Sequence, residues 1–139
     1  MRARLAAAVT LAVIGLITLS CGGIVDPSNN QTETFTGTIT VTEAHPHPFS
    51  VAKTGEFTAK VTALTPTSTA LVGLALVFAA SDGSCSGSIQ IVQQNNFVNV
   101  NTPALGGQIF SGKYCIVIYD VGALPKDITQ NYTITVSHP

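Results

Sequence analysis

From Phe35 the chain alternates. Phe35, Gly37, Ile39 and Val41 fall on one face of an extended segment, and Thr36, Thr38, Thr40 and Thr42 fall on the other. A period of two predicts a strand with one side buried and one side wet. Residues 47–53 predict a second strand with Phe49 and Val51 inward. In a third, Phe57, Ala59, Val61 and Ala63 alternate with Thr58, Lys60 and Thr62. Leu71 to Phe78 is continuously apolar, as in a strand covered on both faces, and Gly73 argues against a helix there. Ser88–Val92 and Phe97–Val100 read as short strands split by the polar Gln93-Gln94-Asn95-Asn96. Residues 101–112 hold Pro103, Gly106, Gly107 and Gly112, which predicts a loop with one bent strand around Ile109-Phe110. Lys113–Val121 and Asn131–Ser137 close the series. Turn signals lie at Lys53–Glu56, Thr65–Ser68 and Ser81–Gly83. About eight short strands at roughly ten-residue spacing predict an all-β antiparallel sandwich or barrel.

The first 23 residues have a different pattern. Arg2 and Arg4 precede an apolar run from Leu5 to Leu19, followed by Ser20, Cys21 and two glycines. This is the layout of a secretory signal, and a run of about 15 residues is short of the roughly 20 that span a bilayer. The cysteine placed after a small residue resembles the signal of bacterial lipoproteins, although Thr18 stands where that family usually carries Leu. The resemblance implies that residues 1–20 are removed and that Cys21 is lipidated as the first mature residue. Residues 21–33 are polar with Gly, Pro and Asn, and read as a flexible tether. Residues 34–139 form the domain. Gly22, where Asp would direct retention, implies an outer-membrane or cell-surface lipoprotein of the cell envelope. The anchor would be far stronger than one acyl chain provides.

Charge narrows the function classes. Past residue 20 there are four lysines (Lys53, Lys60, Lys113, Lys126), no arginine and seven acids, a net charge of −3. Nucleic-acid binding needs clustered cations and is excluded. Attachment by a basic patch has no support either. Only 9% of the chain is charged, and sixteen threonines follow Cys21; Thr is β-branched and suits a pleated, half-buried surface. With Cys21 assigned to lipid, Cys85 and Cys115 remain. In an exported protein they predict a disulfide, the alternative being two separate buried thiols. A closed loop of about 30 residues would contribute roughly 3.5 kcal/mol in the chain-entropy model.

Ser111-Gly112-Lys113-Tyr114-Cys115-Ile116-Val117-Ile118-Tyr119-Asp120, followed by Tyr132-Thr133-Ile134-Thr135-Val136, resembles the ending of bacterial pre-peptidase C-terminal domains. His47–Val51 and Gly55–Leu64 resemble the early strands of that family. The likeness spans residues 34–138 and implies a jelly-roll-like β-sandwich. Such domains accompany secreted proteases and glycosidases, and some bind collagen or polysaccharide. Calcium-binding relatives use clustered N-terminal acids, whereas Asp26, Glu33 and Glu43 are scattered here.

Candidate chemistry is sparse. Gly83-Ser84-Cys85-Ser86-Gly87 has the spacing of a nucleophile elbow, but the following Ser88–Val92 reads as strand where an elbow needs a helix. Glu43, His45 and His47 are spaced two apart and would share one side of a strand, a spacing that can chelate a transition metal. Pro46 and Pro48 keep this segment extended, at a sheet edge or in a loop, and the alternative is an exposed polar connector entering the second strand. Gly112-x-Tyr114 predicts a tyrosine clip, and Asp120 predicts a capped turn. No catalytic residue and no cofactor are expected. The expected partners are the membrane, through the lipid, and a polysaccharide or an envelope protein. The alternative is a non-catalytic lipoprotein that associates with a secreted enzyme or with itself. With no Trp, and aromatics at positions that read mostly as core, sugar stacking is disfavoured.

Overall fold

The computed structural model describes residues 27–86 and 90–139. The segment expected to be a signal, residues 1–20, and the expected lipidation site Cys21 lie outside the described residues. A 3₁₀ turn (Pro27–Asn29) leads into eight strands: β1 (Gln31–Ile39), β2 (Ala44–Val51), β3 (Gly55–Thr65), β4 (Val72–Phe78), β5 (Ile91–Val98), β6 (Pro103–Ile109), β7 (Gly112–Asp120) and β8 (Gln130–His138). Sheet one runs β1-β8-β3-β6 and sheet two β2-β7-β4-β5, with every pair antiparallel. Every connection except β4–β5 passes from one sheet to the other. The fold is therefore an all-β sandwich, one of the two architectures the alternation predicts, with the jelly-roll-like strand order that the resemblance implies.

The core lies between the sheets. Ile39, Phe57, Val61, Leu64, Ile134 and Val136 of sheet one face Phe49, Val51, Leu74, Leu76, Ile116 and Ile118 of sheet two. Tyr114 packs there too, and its hydroxyl donates to Phe110 O at 3.0 Å, the predicted clip. Asp120 caps its turn as expected: Oδ1 accepts from the N–H groups of Gly122, Ala123 and Leu124, and Oδ2 from Thr42 N. Burial works against that charge, but the N–H donors outweigh it and hold the carboxyl below its ordinary range.

Three expectations need correcting. First, β1 begins at Gln31, inside the predicted tether, because Gln31, Thr32 and Glu33 pair with His138, Ser137 and Val136. Second, β2 begins at Ala44 and not at residue 47, so His45 and Pro46 join His47 within the strand. Third, the two strands predicted around Gln93–Asn96 are one. β5 runs straight through the polar residues, because it is an edge strand whose amides have partners across the sandwich: Gln93 Nε2 donates to Gly106 O at 3.2 Å and Asn95 Nδ2 to Ala104 O at 3.1 Å. Six of the nine aromatics are buried in or packed against a core cluster, as expected; the exceptions are Phe97, which is 74% exposed, Phe110, 62%, and Phe78, 48%.

Candidate functional site

Sheet two carries a second apolar surface, on the side away from the core. Alternation along β4 and β7 sends Leu74, Leu76, Ile116 and Ile118 inward, so Ala75, Val77, Cys115, Val117 and Tyr119 must point outward. These outward residues form a cluster of their own with Ala79 and Cys85. It explains why β4 reads as apolar at every position: both of its faces are covered.

The predicted disulfide is present on this face, with Cα atoms 6.0 Å apart. It ties the segment after β4 to the middle of β7. The same segment folds as a turn, with Gly83 N donating to Ala80 O and Ser84 N to Asp82 Oδ1, and Lys113 Nζ donates to Ser81 O at 3.0 Å. Cys85 is therefore a structural crosslink, and the Gly83–Gly87 spacing does not present a free thiol.

Beside this segment lies a groove of about 260 Å³, floored by Ala44, Ala75, Val77 and Val117 and walled by Ile91, Gln94, Asn96 and Tyr119. A second groove of about 410 Å³ lies along Leu71, Phe97, Val121 and Ala123 and shares Asn96 and Tyr119 with the first. Tyr119 and Asn96 thus divide the two grooves, and the Tyr119 hydroxyl donates to Asn96 Oδ1. Burial raises the Tyr119 phenol above its ordinary value, so it remains a neutral donor. The ring is seated by Gly73, its cross-strand partner, where any Cβ would occupy the position of the ring. No lining residue of either groove is charged.

The residues singled out as metal ligands do not converge. Glu43 Oε2 accepts from Thr40 N at 2.7 Å and contacts His45 Nε2 at 3.2 Å, and these bonds, the Thr40 N–H foremost, hold its carboxyl below the ordinary range. His47 points into the seam between the sheets. It stacks on Phe35 with ring centroids 5.1 Å apart, and its Nε2 pairs with the Tyr132 hydroxyl at 2.8 Å. Among the described residues no three His, Cys, Asp or Glu side chains are placed to hold a metal. The remaining histidine, His138, is fully buried against Phe49, with Nε2 2.9 Å from Glu33 Oε1.

The setting of His47 predicts an acid response. Burial, and then the nearby His45, hold its pKa below the ordinary 6.5. The unfolded chain then binds more protons, so the contribution of His47 is full above about 6.5 and is lost as pH falls through its folded value. The expected result is a melting temperature for the wild type that falls more steeply between pH 7.5 and 5 than that of His47→Gln. Parallel curves would show that His47 is not the group responsible.

No family model and no curated protein sequence matches the chain. Solved structures that share its fold include the following two. The mitogen derived from Yersinia pseudotuberculosis superposes with a TM-score of 0.56 at 17% identity, covering 79% of this chain and 87% of the other. PliG of Aeromonas hydrophila, a periplasmic lysozyme inhibitor of g-type lysozyme, superposes with a TM-score of 0.52 at 18% identity, covering 79% and 88%. At these identities the likeness is one of fold.

Proposed function

We propose that this protein is an exported, non-catalytic binding module. In this reading it is held at the cell envelope by lipid at Cys21, and it docks another protein on the grooved outer face of sheet two. One observation carries the reading: an uncharged, carbon-floored double groove on the sheet face opposite the core. Contiguous apolar surface of this kind marks interaction sites. The first groove, at about 260 Å³, is below the usual range for a small-molecule pocket and suits an apolar side chain presented by a partner. Polysaccharide is the second reading, since sugars stack on open aromatic faces and Phe97 in the second groove is 74% exposed. The resemblance to pre-peptidase C-terminal domains and the lysozyme-inhibitor neighbour both support a protein that works beside secreted enzymes without being one.

A test combines both parts of the reading. Full-length protein carrying a photo-crosslinker at exposed Gln94 should capture a defined envelope protein in cells. Ile91→Lys, at a site already 55% exposed, should weaken capture at least about tenfold by placing an unpaired charge in the interface. Thr58→Lys, on the outer face of sheet one, should not. Cys21→Ser should lose both fatty-acid labelling and membrane recovery. Capture indifferent to Ile91→Lys, or retention of polysaccharide that Ile91→Lys abolishes, would count against a protein-binding groove.

A further inference from the structure

Each sheet has two edge strands, and three of the four edges are closed. β2 carries Pro46 and Pro48, two residues apart. A proline within a ladder sits where its missing N–H faces away from the neighbouring strand, so β2 lacks two donors on its free side. β5 and β6 close one another through Gln93 and Asn95, whose amides take the Gly106 and Ala104 carbonyls. Both also pair irregularly with their neighbours, with register shifts at Ala59/Lys60 and along β4. These are the devices by which sheets avoid pairing edge to edge.

β1 has none of these. Its nine residues, Gln31–Ile39, contain no proline and no lysine, and they pair with β8 in unbroken register. The chain before it turns inward across the sheet, where Asn30 Nδ2 donates to Glu56 O at 2.9 Å. Its one charge, Glu33, is matched by His138 within its own sheet. Among the described residues no strand pairs with the outer side of β1, and a regular row of backbone donors and acceptors there is complementary to one kind of occupant, another extended strand.

The sequence of β1 says which strand. Thr32-Glu33-Thr34-Phe35-Thr36-Gly37-Thr38 is symmetric about Phe35 in its threonines. Placed antiparallel against itself with Phe35 at the centre, it sets Thr34 opposite Thr36 and Thr32 opposite Thr38 on the outer face. On the inner face Phe35 meets Phe35, and Glu33 meets Gly37 rather than another carboxylate. Thr–Thr and aromatic–aromatic pairs are favourable cross-strand partners, and like charges directly opposite are not. A two-fold interface requires this kind of self-complementarity. We infer that β1 is a self-pairing edge, through which a second copy of this chain joins the two four-stranded sheets of type one into a single continuous sheet. This surface is separate from the grooved face of sheet two and does not depend on the function proposed for it.

The test is the association state of the purified full chain in a mild detergent, followed by sedimentation equilibrium at matched solvent density. The expected species is a dimer that dissociates on dilution. Thr34→Lys/Thr36→Lys places lysine opposite lysine at two symmetry-related positions and should weaken the dimer about tenfold or more. Thr34→Lys/Thr36→Glu places the new lysine of each copy opposite the new glutamate of the other and should restore it. Melting of each variant at high dilution separates loss of dimer from loss of fold. A chain that is monomeric at every concentration overturns the inference. So does a dimer equally tight in both charge variants, or a monomeric chain whose β1 is filled by a strand of a different protein.

Discussion

Replacing both Cys85 and Cys115 by alanine should lower the stability of the domain by about 3.5 kcal/mol, since the bridge closes a loop with a sequence separation of 30. Most domains of this size are stable by only about 5–15 kcal/mol, so the loss is a large share of the total. The melting temperature should fall by something on the order of 10 °C or more. The effect is also local. Cys115 is fully buried in the outer cluster of sheet two, and Cys85 fastens the turn that follows β4. Without the bridge that turn is left with its hydrogen bonds alone, those of Lys113, Asp82 and the backbone among them, and amide exchange in residues 79–86 should quicken before that of β4 or β7. Denaturation curves of the oxidised wild type and the double variant measure the first effect and hydrogen exchange the second. Equal stability of the two proteins would mean that the crosslink constrains little.

Gly73→Ala should destabilise the protein by about 1–3 kcal/mol, the cost of overpacking, although alanine is ordinarily better than glycine in a strand by roughly 0.5–1 kcal/mol. The added methyl meets the ring of Tyr119 directly, and the ring must leave its seat. Its hydrogen bond to Asn96 and the division between the grooves go with it. The sign of the effect identifies the cause. In a Tyr119→Ala background the obstruction is gone, and Gly73→Ala should become neutral or stabilising. A double-mutant cycle by chemical denaturation reads this, and the same penalty in both backgrounds would place the strain elsewhere.

The fold was legible wherever one strand face is buried and the other wet. β1 and β8 alternate cleanly, and so does β3 as far as Val61, with Phe57, Ala59 and Val61 inside as their period requires; past Val61 a shift in register turns Leu64 into the core in place of the expected Ala63. β4 was legible as a strand, but the reason it lacks polar residues was not, because nothing in Val72–Phe78 tells a buried inner face from an apolar outer one. β5 was misread because Gln93–Asn96 resembles a loop by composition, and the partners that make it a strand are carbonyls on β6. The pairing of Cys85 with Cys115 followed from elimination once Cys21 was assigned elsewhere. The grooved face was not legible. Ala44, Ala75 and Val117 are ordinary core residues by type, and only the strand order brings them to one surface. The spacing of His45 and His47 did place both rings on one side of a strand. It could not show that Tyr132, from the far end of the sequence, takes the His47 nitrogen.

β8 is the last strand in sequence and an interior strand in space. It is seated between β1 and β3, pairing Gln130 with Ile39 at one end and Ser137 with both Thr32 and Thr58 at the other. Until these residues emerge, β1 has no neighbour in its own sheet and β3 has only β6. Sheet one therefore cannot be assembled progressively from the N-terminus, and any fragment that stops short of Gln130 carries bare edges on both strands. Closure of sheet one therefore rests on pairing between residues about a hundred positions apart in the chain, and such long-range contacts are slow to form.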